Sequence, residues 1–186
     1  MSEHAQEFVT HLRRLGERDR AAMAILRRSL AFPPGGFPPA YPYVERFVGE
    51  GRREQDSFRL ALYLTAGLYA LNPAPSSNTL ARSLGVLMAQ RGSESIEKRF
   101  IALLGADDNN VGQYLRQIVT LLKADGVGLD YVALLADLSH WLNPFAAEAR
   151  DRIRQRWARD FYRVLTPSTN ASEFDQSTND TPEEES

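Results

Sequence analysis

The chain has 186 residues, of which 43% are hydrophobic and 25% charged, a composition typical of a globular protein with one sizeable core. No run approaches the roughly 18–20 apolar residues of a membrane span, and the start, MSEHAQEF, lacks the basic-then-apolar order of a signal peptide. The absence of cysteine excludes disulfides and thiolate metal ligands. These features predict a cytoplasmic protein with no membrane partner.

The formal net charge of −2 is unevenly distributed. From Pro167 onward the chain carries six acids and no base, whereas residues 1–166 hold 22 bases against 18 acids. The body is therefore mildly basic, which favours phosphate-bearing partners. Twenty of the 22 bases are arginines, which suit bidentate phosphate contacts, although a GC-rich genome produces the same bias.

Apolar residues recur with helical spacing along most of the chain, and no alternating strand pattern is present. The spacing predicts a first helix over Glu3–Leu15 and a second that begins behind Asp19, a suitable N-cap, and ends at Ala31. The next segment, Phe32–Pro42, predicts a loop or extended connector, because its prolines remove donors and its glycines loosen the chain.

The second half of the chain continues the helical pattern. A short helix is expected around Tyr43–Val48, and the most apolar one, Asp56–Leu71, is expected to lie centrally. The remaining helices are predicted over Thr79–Arg91, Ser93–Leu104, Asn110–Ala124, Asp130–Leu142 and Ala146–Val164. About nine helices predict an all-α bundle, built as one compact unit or as two helical subdomains. We place the domain at residues 1–165 and expect residues 166–186 to form a disordered acidic tail.

Residues that could carry catalysis are nearly absent. His4 and His11 are seven residues apart, too far for a chelating i, i+4 pair, and His140 is expected at a helix end. Asp107 and Asp108 lie in a Gly/Asn-rich turn, which predicts local backbone bonding rather than a metal site. No phosphate-binding glycine loop or nucleophile elbow is present. The sequence predicts a protein that is not an enzyme and has no catalytic residue, metal or cofactor.

The last predicted helix combines a core-facing stripe with a row of arginines. At 100° per residue, the stripe spans about 80° and contains Ile153, Trp157, Phe161 and Val164. The arginine row spans about 60° on another side and contains Arg152, Arg156, Arg159 and Arg163. Asp151 and Asp160 point elsewhere, so we expect this face to lack acids. It is either an ordinary solvated surface or a surface that suits an anionic strand.

Other helices carry basic pairs of the same kind, each of which is also typical of a solvated helix face. Arg116 and Lys123 are seven residues apart beside an apolar face. Arg20 and Arg27 are likewise seven apart, with Arg28 further round the helix. Two further pairs, one before and one within a predicted helix, are Arg52–Arg53 and Lys98–Arg99.

These segments together resemble the CasB family, the small subunit of the type I-E CRISPR surveillance complex called Cascade. The resemblance covers roughly residues 5–165. It rests on RAAMAILRRSL near the start, SIEKRFIALL at 95–104, and YLRQIVTLLKADGVGLDYVALLADLSHW followed by RQRWARDFY. None of these is a catalytic motif, and their order, spacing and combination carry the resemblance. The acidic tail falls outside the family pattern.

The resemblance implies a non-catalytic helical subunit that is present in two copies beside the CasC backbone, which holds the CRISPR RNA. The CasA large subunit, CasD and CasE are the other implied protein partners. Such a subunit helps to stabilise the R-loop by contacting target DNA and the displaced strand through basic surface residues. Sequence specificity then comes from guide–target pairing, and the protein supplies backbone contacts.

The candidate nucleic-acid-binding residues come from two sources. Positions that match the family's basic motifs are Arg27, Arg28, Lys98, Arg99 and Arg116. Of these, Arg99 and Arg116 border apolar faces and are the strongest candidates for structural pairing with acids. Positions suggested by the residue pattern alone are Arg52, Arg53, Lys123, Arg152, Arg156, Arg159 and Arg163. Trp141, Trp157 and Phe161 are assigned to the core.

Two other functions are compatible with a helical protein that carries basic faces. One is a free-standing nucleic-acid-binding regulator, which predicts a helix–turn–helix with an exposed recognition helix; we find no convincing one. The other is a purely structural adaptor whose arginines meet acidic protein surfaces.

Overall fold

The computed structural model describes residues 2–166, and the regular elements of this part of the chain are helices. The α-helices are α1 (Ser2–Arg18), α2 (Arg20–Ser29), α3 (Tyr41–Val44), α4 (Ser57–Leu71), α5 (Leu80–Arg91), α6 (Glu94–Leu104), α7 (Val111–Ala124), α8 (Tyr131–Trp141) and α9 (Ala147–Leu165). The prediction of an all-α fold with about nine helices is confirmed. Apart from α3, every helix begins and ends within three residues of its predicted bounds.

Several helices begin at a residue whose side chain accepts a hydrogen bond from the first turn. The Asp19 carboxylate accepts from the backbone N–H of Ala22, and the Asp130 carboxylate accepts from the N–H groups of Val132 and Ala133. Thr79 caps α5 in the same way. These side chains satisfy donors that have no partner inside the helix, which is why the sequence signals located the helix starts well.

The segment Phe32–Pro42 differs from its prediction in its second half. A 3-10 turn covers Pro38–Ala40, α3 follows directly, and a second 3-10 turn covers Glu45–Phe47. The expectation of a loop or extended connector is therefore wrong beyond Phe37. The prolines occupy the first positions of these short helices, where the missing N–H has no intrahelical acceptor to lose.

The core is organised around α4, in which eleven of fifteen residues are buried. This helix packs against α2 on one side and α8 on another, while α5 packs along α9. One continuous cluster of buried side chains draws on all nine helices of the described part of the chain. The residues from 2 to 166 therefore share a single core, whereas the domain limits of 1–165 and 166–186 stay a prediction.

Aromatic residues of α9 complete that core. Trp157 stacks on Trp141 of α8 with ring centroids 5.0 Å apart, and Phe161 stacks on Phe100 of α6 at 4.2 Å. All four side chains are fully buried. The assignment of Trp141, Trp157 and Phe161 to the core is confirmed, and Ile153 is buried beside them.

Two loops are tied together at one end of the bundle. The Tyr131 hydroxyl donates to the carbonyl of Asn72 at 2.6 Å, and the Asn72 amide donates to the carbonyl of Val127 at 2.9 Å. Gly128 lies so close to the 72–79 loop that an added Cβ would sit 2.6 Å from the Ala74 carbonyl oxygen. The close packing of these loops holds the C-terminal end of α4 in place.

The predicted tail begins at Thr166, whose hydroxyl donates to the carbonyl of Tyr162 in the last turn of α9. Residues 167–186, and the prediction that they are disordered, lie outside the described residues. Between residues 2 and 166, none of the helices has the length and apolar character needed to cross a membrane.

Candidate nucleic-acid interface

A basic groove of about 690 Å³ lies between α1, α2, the C-terminal end of α7 and the 72–79 loop. Four cations line it: Arg13, Arg20, Arg27 and Lys123. The single acid among its lining residues is Glu17. We call this feature the basic groove. Its excess of positive charge in a concave surface raises the local concentration of anions.

The basic groove has an apolar floor that positions its cations. Met23 and Tyr69 lie at its base, and the Arg27 Nε donates to the carbonyl of Ala70 at 3.1 Å. Burial raises the pKa of the Tyr69 hydroxyl, and the charge of Arg13 opposes this shift while that of Glu17 adds to it. The floor therefore stays neutral at physiological pH, and the charge of the groove comes from its rim.

Arg116 and Arg28 extend the basic surface beyond the groove. The Arg116 Nη1 lies 3.4 Å from the carbonyl oxygen of Leu30, which follows the last turn of α2. The Arg28 guanidinium lies 5.9 Å from the ring centroid of Phe37. Arg116 lies near the C-terminal end of α2, and Lys123, seven residues later on α7, lines the basic groove together with Arg20 and Arg27 of α2.

The other predicted pairs lie away from the basic groove. Arg52 is bound to Asp56 at 2.9 Å and lies over the ring of Phe58, whereas Arg53 is exposed. Lys98 and Arg99 are exposed on α6. Of the twelve predicted residues, the structure brings Arg27 and Lys123 into one groove, with Arg28 and Arg116 nearby.

The arginine row of α9 is exposed as predicted, but the expectation that its face lacks acids is wrong. Arg156 is hydrogen-bonded to Asp137 of α8, and the Nη1 of Arg152 lies 3.7 Å from Glu148, one turn earlier in α9. The periodicity of α9 could not show Asp137, because that acid belongs to a different helix. Part of the row is therefore neutralised within the fold.

Asp137 joins the row to the core. Its second carboxylate oxygen accepts a 2.7 Å hydrogen bond from the Trp157 Nε1, so one acid holds both an exposed arginine and a buried tryptophan. The Asp137 carboxylate is nearly buried. Arg156 thus has a structural role in addition to any contact with a partner, because removing it would leave this acid without its counter-charge.

Two residues of the basic groove, Arg13 and Arg20, were missing from the predicted set. A signal existed in the sequence, since Arg13, Arg20 and Arg27 recur at intervals of seven residues. The break between α1 and α2 at Asp19 hides that regularity, because a seven-residue spacing places residues on one face only within a continuous helix.

The histidines and acids considered for catalysis have structural partners. His4 and His11 bond the backbone carbonyls of Phe47 and Tyr43, and His140 is exposed in the last turn of α8. Asp107 accepts from two backbone N–H groups in its own turn. Across residues 2–166, no group of three or more His, Asp or Glu side chains is placed to hold a metal ion.

The described residues define an all-helical protein that presents several basic faces around one core. The family described as CRISPR-associated protein Cse2 matches residues 22–162 of the chain. A CRISPR-associated protein Cse2 from Thermus thermophilus is 44% identical over an alignment of 161 positions, which covers 84% of this chain and 89% of that protein.

Solved structures agree with this match. The crystal structure of CasB from Thermus thermophilus superimposes with a TM-score of 0.70 at 42% identity, covering 85% of this chain and 97% of that one. A chain of a CRISPR RNA-guided surveillance complex has the same fold, with a TM-score of 0.75 at 24% identity and coverage of 88% and 94%. The chain belongs to the Cse2 family, also called CasB, and the resemblance found in the sequence is confirmed.

Proposed function

We propose that this chain is the small subunit of the type I-E CRISPR surveillance complex Cascade, and that it binds the backbone of nucleic acid. Membership of the Cse2 family supports the first part. The observation that carries the second part is the basic groove, in which four cations and one acid line a concave surface. This role requires no catalytic residue, metal or cofactor.

Backbone binding follows from the chemistry of the groove. Arginine and lysine side chains neutralise phosphates and release condensed counterions, which gives affinity without sequence preference. Pairing between CRISPR RNA and target DNA supplies the specificity. R-loop formation is a nearly balanced exchange of base pairs, so even modest protein contacts with the backbone shift it toward the open state. The proposed partners are these nucleic acids, a second copy of the chain, and the CasA, CasC, CasD and CasE subunits.

Salt-dependent binding by matched variants tests the groove. We expect the parent chain to bind single-stranded DNA with an affinity that falls steeply as salt rises. In Arg20→Gln/Lys123→Gln, which changes two groove residues with no internal ion pair among residues 2–166, the slope of log affinity against log salt should become shallower by about 0.7 per lost phosphate contact.

The control removes the same charge elsewhere. Arg14 and Arg18 line a different cavity, beside Glu3 and Glu7. Arg14→Gln/Arg18→Gln should therefore keep the slope of the parent chain. Equal slopes in both double variants would contradict a specific role for the groove, and affinity that ignores salt in every chain would exclude backbone binding.

Membership of the complex needs its own test. Co-expression with the other Cascade subunits and a guide RNA should yield an assembly that contains this chain, and native mass spectrometry should count two copies. An assembly from which this chain is excluded would leave the free-standing regulator as the function, and one that includes the chain but binds target DNA equally well in its absence would leave the structural adaptor.

A further inference from the structure

The four arginines of the α9 row fall into two halves with different surroundings. In the N-terminal half, Arg156 is bound to Asp137 and Arg152 faces Glu148. In the C-terminal half, Arg159 and Arg163 are exposed, and no carboxylate of residues 2–166 lies within ion-pair distance of either. Within the described part of the chain, two cations are therefore left without a counter-charge in the last two turns of the helix.

The chain that follows α9 carries the missing charge. Residues 167–186 contain six acids and no base: Glu173, Asp175, Asp180, Glu183, Glu184 and Glu185. This segment lies outside the Cse2 family match, which ends at residue 162. The acids are thus an addition to the family domain, joined to it directly at the end that holds Arg159 and Arg163.

The chain between α9 and the acids of residues 167–186 is long enough for these acids to reach Arg159 and Arg163. Arg159 lies about 10 Å from Thr166 along the helix axis, at 1.5 Å per residue. The seven residues from Thr166 to Glu173 span up to about 24 Å when extended, so even the first acid reaches both arginines. The later acids reach the whole length of α9, which is about 28 Å.

We propose that residues 167–186 dock their carboxylates on Arg159 and Arg163 and compete with nucleic acid for this face of α9. Single exposed ion pairs are weak, but a tethered segment acts at a local concentration in the millimolar range, and several acids can exchange on the same two cations. Arg163 also offsets the negative end of the α9 dipole, which would otherwise repel carboxylates there. The competition rests on the proposed function and on nucleic acid reaching this face of α9 as well as the basic groove, whereas the docking rests on neither.

Docking can be measured directly with a spin label. The chain has no cysteine, so a single introduced cysteine is the only site to which the label attaches. A nitroxide attached at Ser177→Cys should broaden the backbone amide NMR signals of residues near Arg159 and Arg163 more than those elsewhere. Raising the salt from about 0.05 M to about 1 M, which shortens the Debye length to about 3 Å, should remove the selectivity. Arg159→Gln/Arg163→Gln should also remove it, while Arg20→Gln/Lys123→Gln should not.

Three results would overturn the docking. They are uniform broadening, broadening centred on the basic groove, and selective broadening that survives both high salt and the loss of the two arginines. The first would mean that the segment has no preferred contact, the second that it covers another surface, and the third that charge does not hold it.

Competition is tested with two full-length variants of equal net charge. Glu184→Gln/Glu185→Gln removes two acids from the C-terminal segment, and Glu3→Gln/Glu7→Gln removes two exposed acids from α1. We expect the first to bind single-stranded DNA roughly threefold to tenfold more tightly than the parent at low salt, and the second to change affinity much less.

Together, the nitroxide and DNA-binding experiments distinguish failure of the docking, of the competition and of the proposed function. If the nitroxide shows docking but the two variants bind DNA equally well, the competition is wrong and the docking stands. If no variant binds nucleic acid, the nucleic-acid part of the proposed function fails and the competition fails with it. The nitroxide measurement still decides whether the segment contacts α9.

Discussion

Arginine has two different roles in this protein. Arg59 is buried, and its Nε donates to the Glu45 carboxylate at 3.0 Å, next to the Tyr63 hydroxyl, which donates to the same oxygen. Burial opposes ionisation of Glu45, but the bonds from Tyr63 and Arg59 outweigh it and lower the pKa of this acid. Arg159 and Arg163, by contrast, are exposed. Composition alone cannot separate these roles, because the partner of each arginine lies far away in sequence.

His11 makes the stability of the α3 segment depend on pH. Its Nε2 lies 3.1 Å from the Tyr43 carbonyl oxygen, so Nε2 carries the proton, and its Nδ1 accepts from Arg46. Burial and the nearby positive charge of Arg46 lower the pKa of His11, and the bond to the Tyr43 carbonyl only partly offsets them. The fold therefore favours the neutral ring.

The consequence is a loss of stability in acid. The unfolded chain takes up a proton near the ordinary value of 6.5, before the folded chain does, so stability is complete above that pH and falls as the pH drops below it. Between about pH 7.5 and pH 5.5, we expect the urea midpoint of the parent chain to fall more than that of His11→Gln. His140→Gln, at an exposed site, should behave like the parent. An equal pH dependence in the parent and His11→Gln would contradict this role.

For the helices, sequence signals that act within one turn predicted the helix starts better than the sequence predicted structure that depends on tertiary contacts. Asp19, Thr79 and Asp130 located helix starts because a cap bonds within its own first turn. The prediction for the segment after Phe37 was wrong because prolines in a sequence indicate a break, whereas here they begin short helices that pack onto α2 and α4. Only the tertiary contacts distinguish the two outcomes.

The contact between α5 and α9 depends on one glycine. A Cβ added at Gly85 would lie 2.7 Å from the Phe161 carbonyl oxygen and 3.3 Å from the Val164 Cβ. Gly85→Ala must therefore push α9 away from α5. We expect a net loss of up to about 2 kcal/mol in unfolding free energy, because an overpacking cost of about 1–3 kcal/mol is offset by a gain in helix propensity of only about 1 kcal/mol.

Gly112 provides the matched control in urea denaturation. It also lies in a helix, but its added Cβ would meet only the Leu64 side chain, at an ordinary 3.4 Å. Gly112→Ala should therefore leave stability unchanged or raise it slightly. If Gly85→Ala were equally harmless, the backbones of α5 and α9 could not be as close as described.

At the scale of the whole molecule, the sequence predicted the family and the fold but not the basic groove. The groove combines residues of α1, α2 and α7 that are up to about 110 positions apart, from Arg13 to Lys123. Periodicity assigns a residue to one side of its own helix but does not say which helices share that side. The same limit explains why Asp137 was not recognised as the partner of Arg156.

The stacked pair of Trp141 and Trp157 has a practical consequence. These are the only two tryptophans in the sequence, so intrinsic tryptophan fluorescence comes from one place, the contact between α8 and α9. During unfolding, agreement between this signal and far-UV circular dichroism would indicate that α9 leaves together with the rest of the core. An earlier change in fluorescence would indicate that α9 detaches first. The protein thus contains its own optical probe for the helix that carries the arginine row.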